Sequence, residues 1–233
     1  MPSFTAKEPS KEKNNEVNIT AGDPKCYIYF DSEFTELKKD TDLISIGLVD
    51  YEGNTFYAEF TDYRKELIEN TKWFEEFIFK SLIHPNTVLE GKNWTITGTK
   101  EEVQKQLLFW LDERCKDHII QFVSDVCHYD FVLLQDLISG GKGALTIPEN
   151  MISPTCIDIN MDIATSINSD FVKEQTNFVP ARVAFDISRE DLAKQLDPTL
   201  EKHLEELPVT EKHNALFDAV IIKTIHQKLW DLA

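Results

Sequence analysis

Residues 27–33 read YIYFDSE, an apolar run that ends in two acidic residues separated by one position. A run of this kind, preceded by Asp23 and Pro24, predicts a buried strand. Side chains alternate along a strand, so Asp31 and Glu33 are expected to point to one face near its end. Hard divalent cations prefer oxygen ligands, which makes the pair a candidate metal site. Solvated acids in a turn would give the same pattern, so the pair needs support from elsewhere in the chain.

The segments that follow predict an α/β fold with one mixed sheet and flanking helices, of the ribonuclease-H-like kind. Residues 42–49 are predicted as a second strand and, after a turn at 50–54, residues 55–60 as a third. The later predicted elements are a mostly helical segment at 61–82, a helix at 99–115, a strand at 118–124, a helix at 129–137, a strand at 155–159 and helices at 188–196 and 210–232. A Rossmann domain fits less well, because no GxGxxG follows the first strand.

A third acid is expected after the strand at 118–124, where residues 122–130 read FVSDVCHYD. Tyr129 and Asp130 precede the apolar residues FVLL, so Asp130 is predicted to open a helix. Asp125 is the alternative acid in this segment. Its carboxylate could instead hold the loop by accepting hydrogen bonds from backbone N–H groups.

The last candidate segment is residues 213–219, which read HNALFDA. Apolar residues at helical spacing around Asp218 predict a helix that faces the core. His213 precedes Asp218 by five positions, which on a helix is about 140° out of register. Both groups can therefore serve one site only if His213 lies on the loop or first turn before the helix. Pro208 and the polar residues near Thr210 favour such a late start.

The three segments, in this order, resemble the three signatures of the DEDDh 3′–5′ exonucleases, which have a ribonuclease-H-like fold. The third signature, His-x-Ala-x-x-Asp-Ala, is the most specific of them. The first signature, followed by DLISIG at 42–47, looks most similar to the small bacterial 3′–5′ exoribonucleases. The resemblance spans about residues 26–226. It departs from the family at Asp125, where relatives usually carry an amide.

The resemblance implies a hydrolase with two bound Mg²⁺ or Mn²⁺ ions. Asp31, Glu33 and Asp218 would hold one ion, and Asp31 together with Asp130 would hold the other, partly through water. Two such ions clamp the attacking and leaving oxygens of an in-line displacement. His213 would act as the general base, because an imidazole with an ordinary pKa of about 6.5 is suited to proton transfer at neutral pH.

The resemblance also implies the substrate, which is the 3′ end of a single-stranded nucleic acid. Nucleoside 5′-monophosphates would be released, with RNA favoured over DNA because the closest likeness is to exoribonucleases. Phe34 directly follows the Asp-x-Glu pair and could stack on the terminal base. Core packing of Phe34 is an equally good interpretation.

Composition predicts one domain, which we place at 25–233, since 233 residues with 42% hydrophobic content can bury one core. Residues 1–24 contain few large apolar side chains and are predicted to form a disordered arm. No run approaches the roughly 18 apolar residues of a membrane span, so membrane association is not expected. Residues 1–24 lack the apolar core of a signal peptide, and their acidic residues are untypical of a transit peptide, so the expected location is the cytoplasm.

The cysteines show no metal-binding spacing, because none of them forms a CxxC pair. They are Cys26, Cys115, Cys127 and Cys156. We predict buried free thiols in a reducing compartment.

A formal net charge of −17 argues against broad, non-specific binding to nucleic acid. A short substrate end needs only bound metal ions and a small basic rim. Candidates for the rim are Lys38, Lys39, Lys142, Lys173, Arg182 and Arg189.

Two other functions are compatible with the sequence. One is a non-catalytic interaction module that keeps the ribonuclease-H-like fold, which the acidic surface and Asp125 would suit. The other is a phosphodiesterase acting on dinucleotides, in which residues 139–185 could cover the site. A homodimer is possible under each of the three.

Overall fold

The apolar run that ends at Asp31 and Glu33 forms the central strand of a six-stranded sheet in the computed structural model. The described residues are 25–38, 40–68, 71–116, 118–125, 127–143, 146–147, 152–167, 188–209 and 212–231. The expected arm at 1–24 lies outside them, as do Lys39, Lys173, Arg182 and much of the segment 139–185. The strands are β1 (Lys25–Phe34), β2 (Leu43–Asp50), β3 (Thr55–Phe60), β4 (Asn93–Gly98), β5 (Ile119–Ser124) and β6 (Ile157–Asp158).

The strand order is β4-β3-β2-β1-β5-β6. Of these six strands, β2 alone runs antiparallel to the rest, because β1 pairs antiparallel with β2 and parallel with β5. The remaining pairs, β3 with β4 and β5 with β6, are parallel. An antiparallel meander continued by parallel strands beside β1 is the ribonuclease-H-like arrangement, and the predicted fold class is confirmed. The carboxyl ends of β1, β5 and β6 therefore meet at one edge of the sheet.

Helices cover both faces of the sheet. They are α1 (Phe79–Ser81), α2 (Lys100–Arg114), α3 (Cys127–Ser139), α4 (Ile159–Ile167), α5 (Arg189–Leu196), α6 (Leu200–Glu205) and α7 (Ala215–Asp231). Helix α2 begins with a capping box between Thr99 and Glu102, as its sequence predicts. Among the described residues, no helix combines the length and apolar character that crossing a membrane requires.

Alternation along β1 separates two hydrophobic cores. Ile28 and Phe30 face the core that α2 and α3 cover, while Tyr29 faces the core under α4, α5 and α7. By the same alternation, Asp31 and Glu33 continue the face of Tyr29, and Ser32 continues the opposite face. The two acids therefore point toward α7.

Helix α7 lies close to β2 because residue 47 is a glycine. A Cβ placed on Gly47 would be 2.2 Å from the backbone nitrogen of Leu216 and 2.4 Å from the carbonyl carbon of Ala215. Gly47 is also the β2 residue that pairs with Asp31. The glycine thus allows the first turn of α7 to reach the sheet beside Asp31.

Several predicted elements differ from the structure. The segment 61–82 contains a 3₁₀ turn at Lys65–Leu67 and a π-helical turn at Phe74–Ile78 that continues into α1, rather than one long helix. The strand predicted at 155–159 is only two residues long, and α4 follows it directly. Strand β4 and helices α4 and α6 were not predicted. Helix α7 begins at Ala215, later than the predicted residue 210.

The prediction of four free thiols is wrong for two of them. Cys26 at the start of β1 and Cys115 after α2 form a disulfide, with their Cα atoms 5.4 Å apart. The fold brings together two cysteines that are 89 positions apart in sequence. Cys127 and Cys156 are free.

Candidate active site

A cavity of about 440 Å³ opens at the carboxyl ends of β1 and β5. In parallel sheets this edge is the usual place for a ligand site. The cavity is lined by Asp31, Ser32, Glu33, Phe34, Leu37, Asp125, Asp130, Arg189, Glu190, Lys212, His213, Asp218, Ile221 and Ile222. The structure therefore places all the candidate acids, the candidate histidine and Phe34 around one space.

The acids of the first and second segments meet across β1 and α3. Asp31 and Glu33 lie within β1, which extends past them to Phe34. Asp130 is in the first turn of α3 and only 2% exposed. The hydroxyl of Ser32, on the opposite face from Asp31, donates a hydrogen bond to Asp130 Oδ1. Ser32 thus fixes the position of Asp130 relative to the strand that carries the other two acids.

His213 lies on the turn before α7, where the sequence predicted it to be. Asn214 is the N-cap of the helix: its carbonyl accepts from Asp218 N at 3.0 Å and its side chain accepts from Leu216 N at 3.0 Å. His213 has φ +65°, a left-handed conformation that few residues other than glycine adopt. Its backbone N–H donates to Asp218 Oδ2 at 3.2 Å, so both groups face the same site.

A buried hydrogen-bond network holds this turn in place. Ser81 Oγ donates to the carbonyl of His213 at 2.5 Å, and Asn214 Nδ2 donates to the carbonyl of Ser81 at 2.8 Å. Asn214 Nδ2 also donates to the hydroxyl of Tyr57 at 3.0 Å, and that hydroxyl donates to buried Glu59 at 2.9 Å. Sequence reasoning missed these supporting residues. The asparagine between His213 and an apolar helix was the available signal, since Asn is a favoured N-cap.

Two groups of aromatic residues contact residues that line the cavity, one through Phe34 and one through His213. The ring of Phe34 stacks on that of Tyr129, with centroids 5.8 Å apart and planes 17° from parallel. On the other side, Trp73 and Phe77 contact the His213 ring edge-on, at centroid distances of 6.1 and 5.4 Å. Trp73 is 46% exposed and Phe77 is 42% exposed. Both residues lie in the segment 61–82 that was predicted to be mostly helical, and the structure leaves them partly exposed beside the histidine.

Burial and mutual repulsion act on the acidic cluster. The pKa of Asp31 is raised well above its ordinary value by burial, and further by the charges of Asp130, Asp218 and Glu33. Burial, followed by repulsion from Asp218 and Asp130, likewise raises the pKa of Glu33.

The other two acids of the cluster titrate close to neutrality. Burial raises the pKa of Asp130 to about 7, against the opposing hydrogen bond from Ser32. Burial and the charge of Asp125 raise the pKa of Asp218 to about 7. Ionising all four carboxylates together therefore costs free energy unless a cation joins them.

The cluster fits hard divalent cations, because its donors are carboxylate oxygens whose charges repel one another. The ligand atoms of Glu33, Asp218 and His213 all lie within 4.8 Å of one another. Asp31 and Asp130 line the same cavity and raise the negative charge around that group. Mg²⁺ or Mn²⁺ would supply the missing positive charge.

Basic groups also reach the cavity. Burial and the neighbouring charge of Lys212 lower the pKa of His213, so its imidazole is neutral at pH 7. Arg189 Nε lies 3.9 Å from Asp125 Oδ2. Burial raises the pKa of Asp125 and the arginine opposes that rise. The carboxylate that stands where the resembling family has an amide is thus partly compensated by Arg189.

The predicted basic rim is only partly present at the site. Of its described members, Arg189 lines the cavity, Lys38 pairs with Glu36, and Lys142 lines a different cavity near the start of α2. Lys212 lines the cavity that holds the candidate residues and was missed by the sequence reasoning. Its position directly before His213 was the available signal.

Comparison with known proteins gives a structural likeness only. No family model matches this chain, and no curated protein matches it in sequence. Among solved structures, the chain is similar to the Pan2 catalytic unit of Neurospora crassa, which is described as a protease and nuclease domain. The two share 16% sequence identity with a TM-score of 0.41. The likeness covers 98% of this chain but 31% of the Pan2 chain.

Proposed function

We propose that this protein is a metal-dependent 3′–5′ exonuclease that releases nucleoside 5′-monophosphates from single-stranded ends. The observation that carries the proposal is the convergence of Asp31, Glu33, Asp130, Asp218 and His213 on one cavity from three distant segments. These are the residue types and the order that the resembling exonucleases use. RNA is the favoured substrate, because the first signature is most similar to exoribonucleases.

The carboxylates would hold two divalent ions, with Asp31, Glu33 and Asp218 around one and Asp31 with Asp130 at the other. When bound, such ions stabilise negative charge on the attacking and leaving oxygens of phosphodiester hydrolysis. Ser32 keeps the Asp130 carboxylate aimed at the cavity through its hydrogen bond. Asp218 is oriented by the backbone N–H of His213.

His213 would accept the proton of the attacking water. Its lowered pKa keeps the imidazole neutral at pH 7, which a base requires. The left-handed turn, held by Ser81 and capped by Asn214, would keep the ring within reach of Glu33 and Asp218. Trp73 and Phe77 pack against the ring and limit its orientations.

The surroundings of the acids suit a short substrate end. Phe34, already stacked on Tyr129, offers a planar surface for the terminal base. Arg189 and Lys212 line the cavity and would supply positive charge to a phosphate bound there. With a net charge of −17, the protein would bind the strand through this local positive charge rather than along its length.

The test is incubation of 5′-labelled single-stranded RNA and DNA of the same sequence with the protein, with Mg²⁺ or with a chelator. We expect a ladder of shortened labelled products, dependent on the metal and formed faster from RNA. Immediate release of labelled mononucleotide would indicate the opposite polarity and contradict the proposal. The control variant is Asp112→Asn, which removes an exposed acid of α2 far from the sheet edge.

Two results would support the alternative functions. Cleavage confined to dinucleotides, with longer strands left intact, would indicate a phosphodiesterase. Tight Mn²⁺ binding that depends on Asp31, without cleavage of RNA, DNA or dinucleotides, would indicate a non-catalytic module.

A further inference from the structure

A second group of metal-binding side chains lies beside the carboxylate cluster. Cys127 and His128 are in the first turn of α3, and Asp158 ends β6. Cys127 Sγ is 3.8 Å from His128 Nδ1 and 3.7 Å from Asp158 Oδ2. All three ligand atoms lie within 4.8 Å of one another. None of these residues has a part in the hydrolysis proposed above.

We propose that Cys127, His128 and Asp158 form a second metal site, selective for an ion of the zinc class. A tetrahedral ion with bonds of about 2.3 Å to sulfur and about 2.0 Å to nitrogen or oxygen separates its ligand atoms by roughly 3.5 Å. The two distances from Cys127 Sγ are close to this value, so small side-chain rotations complete the geometry. His128 is exposed, which leaves a fourth position open to water or to another ligand.

The ligand types distinguish this site from the catalytic cluster. A thiolate, an imidazole and one carboxylate favour zinc and the later transition metals, whereas a purely carboxylate cluster favours Mg²⁺ and Mn²⁺. In a solution that contains both kinds of ion, the two sites would therefore bind different ions.

The carboxylate of Asp158 is already oriented for this role. Its second oxygen, Oδ1, accepts a hydrogen bond from the backbone N–H of Asn160 at 2.9 Å. Outer contacts of this kind hold a ligand in position before the ion arrives. In the protein without metal the Cys127 thiol donates to Asp158 Oδ2. Binding would replace that proton by the ion, forming a sulfur–metal bond and releasing one proton.

The test uses Co²⁺ as a spectroscopic substitute for zinc, with excess Mg²⁺ present to occupy the carboxylate cluster and no added thiol. Only a cysteine ligand gives a sulfur-to-cobalt charge-transfer band, so the carboxylate cluster is silent. We expect the band to saturate at one equivalent of Co²⁺ and to be displaced by Zn²⁺. Absence of the band would overturn the proposal.

Matched variants assign the ligands. Cys127→Ser should abolish the band, while Cys156→Ser, which removes the other free cysteine, should retain it. His128→Ala changes an exposed side chain and should weaken Co²⁺ binding by more than the roughly tenfold typical of losing an outer-shell partner. A band that survives Cys127→Ser but not Cys156→Ser would refute the assignment. Circular dichroism of each variant establishes that the fold is retained.

Discussion

Asp31 lies at a buried position in the cavity, where its negative charge is unfavourable without a bound cation. Its pKa is raised by burial and by four neighbouring carboxylates, and no cation among the described residues forms an ion pair with it. This residue is the one that both proposed ions would share. Its charge is therefore unfavourable in the protein without metal and required in the protein with metal.

We predict that Asp31→Asn lowers turnover to below about 1% of wild type, since loss of even an outer-shell partner of a metal costs up to roughly 100-fold. The amide keeps the shape of the side chain but cannot neutralise an ion. In the presence of a chelator, the same variant should unfold at a higher temperature, because one repelling charge is gone. Single-turnover assays and thermal unfolding measure the two effects. Asp112→Asn should change neither, and an active Asp31→Asn enzyme would contradict the assignment of the site.

We predict that His213→Ala loses about 10²–10⁴-fold in turnover, the typical contribution of a general base. Mn²⁺ binding should persist, because the carboxylates remain. Since the base works only when neutral, wild-type activity should fall as the pH drops through the His213 pKa, which lies below the ordinary value of about 6.5. The residual activity of the His213→Ala variant should not show this fall at low pH. A pH–rate profile that is the same in both proteins would exclude this role, and His118→Ala, at an exposed histidine, is the control.

We predict that Asp130→Asn costs far more activity than Asp125→Asn. Asp130 is buried and accepts the Ser32 hydroxyl, whereas Asp125 lies beside Arg189. Replacing Asp125 by an amide restores the residue type usual in the resembling family. Under single-turnover conditions we expect Asp130→Asn to lose roughly 100-fold or more, and Asp125→Asn to stay within about tenfold. If Asp125→Asn lost more activity than Asp130→Asn, Asp125 would be assigned as the metal ligand in place of Asp130.

At the scale of single residues, the sequence predicted which carboxylates meet, because strand alternation and motif order do not depend on fine geometry. It did not predict the left-handed backbone of His213 or its aromatic neighbours. The conformation of the turn at His213 depends on hydrogen bonds with Ser81 and Tyr57, which lie more than 130 positions earlier in the sequence. The spacing of the cysteines also gave no sign of the cluster at Cys127, since its third member arrives from β6.

At the scale of elements, the placement of α7 against the sheet determines the site. The first turn of this helix carries Asp218 and follows His213, and it approaches β2 at Gly47. Asp31 is paired with that glycine, so any outward movement of the helix separates the two halves of the cluster.

We predict that Gly47→Ala destabilises the protein by about 1–3 kcal/mol, the cost of overpacking a filled interior. The new methyl group would meet backbone atoms of Leu216 and Ala215, which cannot rotate away. Displacing α7 by about 1 Å should also reduce turnover by roughly 10²-fold. Denaturant unfolding and single-turnover rates measure these effects.

The matched control is Gly141→Ala, where a Cβ would have no neighbour but φ is +75°. It should cost about 1–2 kcal/mol from the left-handed backbone and leave activity unchanged. If the Gly47→Ala variant kept wild-type stability and activity, α7 could move away from β2 without cost, and the prediction would be wrong.

Element prediction succeeded where the pattern was strong and failed where contacts overrode it. The predicted bounds of β2, β3 and α2 lie within one residue of those in the structure. Strand β4 was not predicted. The segment 61–82 was predicted to be mostly helical, yet Trp73 and Phe77 are partly exposed and contact the His213 ring. The sequence pattern cannot separate an aromatic residue in a core from one at a ligand site.

At the scale of the whole molecule, stability without metal should depend on the protonation of the acidic cluster. Asp130 and Asp218 titrate near pH 7 in the folded chain and near about 3.9 when unfolded. The folded state therefore holds two more protons than the unfolded state between those values. His226 and His213 act in the opposite direction, because burial lowers the pKa of each, that of His226 to about 4. Between about pH 4 and 6.5 the two histidines offset up to two of these protons. Asp31 and Glu33, whose pKa values are raised well above the ordinary range, add further protons, so the folded state keeps the larger number.

We predict that, in a chelator, the free energy of unfolding falls by about 1.4 kcal/mol from pH 5.5 to pH 6.5, which corresponds to one excess proton on the folded state. Ordinary surface acids are fully ionised throughout this range, so they do not contribute. Saturating Mg²⁺ should reverse the trend, since the ions bind the ionised carboxylates that folding otherwise disfavours. Denaturant unfolding at both pH values, with and without Mg²⁺, measures the change. Asp130→Asn should reduce the slope by one proton, whereas Asp112→Asn should leave it unaltered. If stability in chelator instead rose with pH, the carboxylates would have to be ionised and separately compensated, and the cavity could not be the shared metal site proposed here.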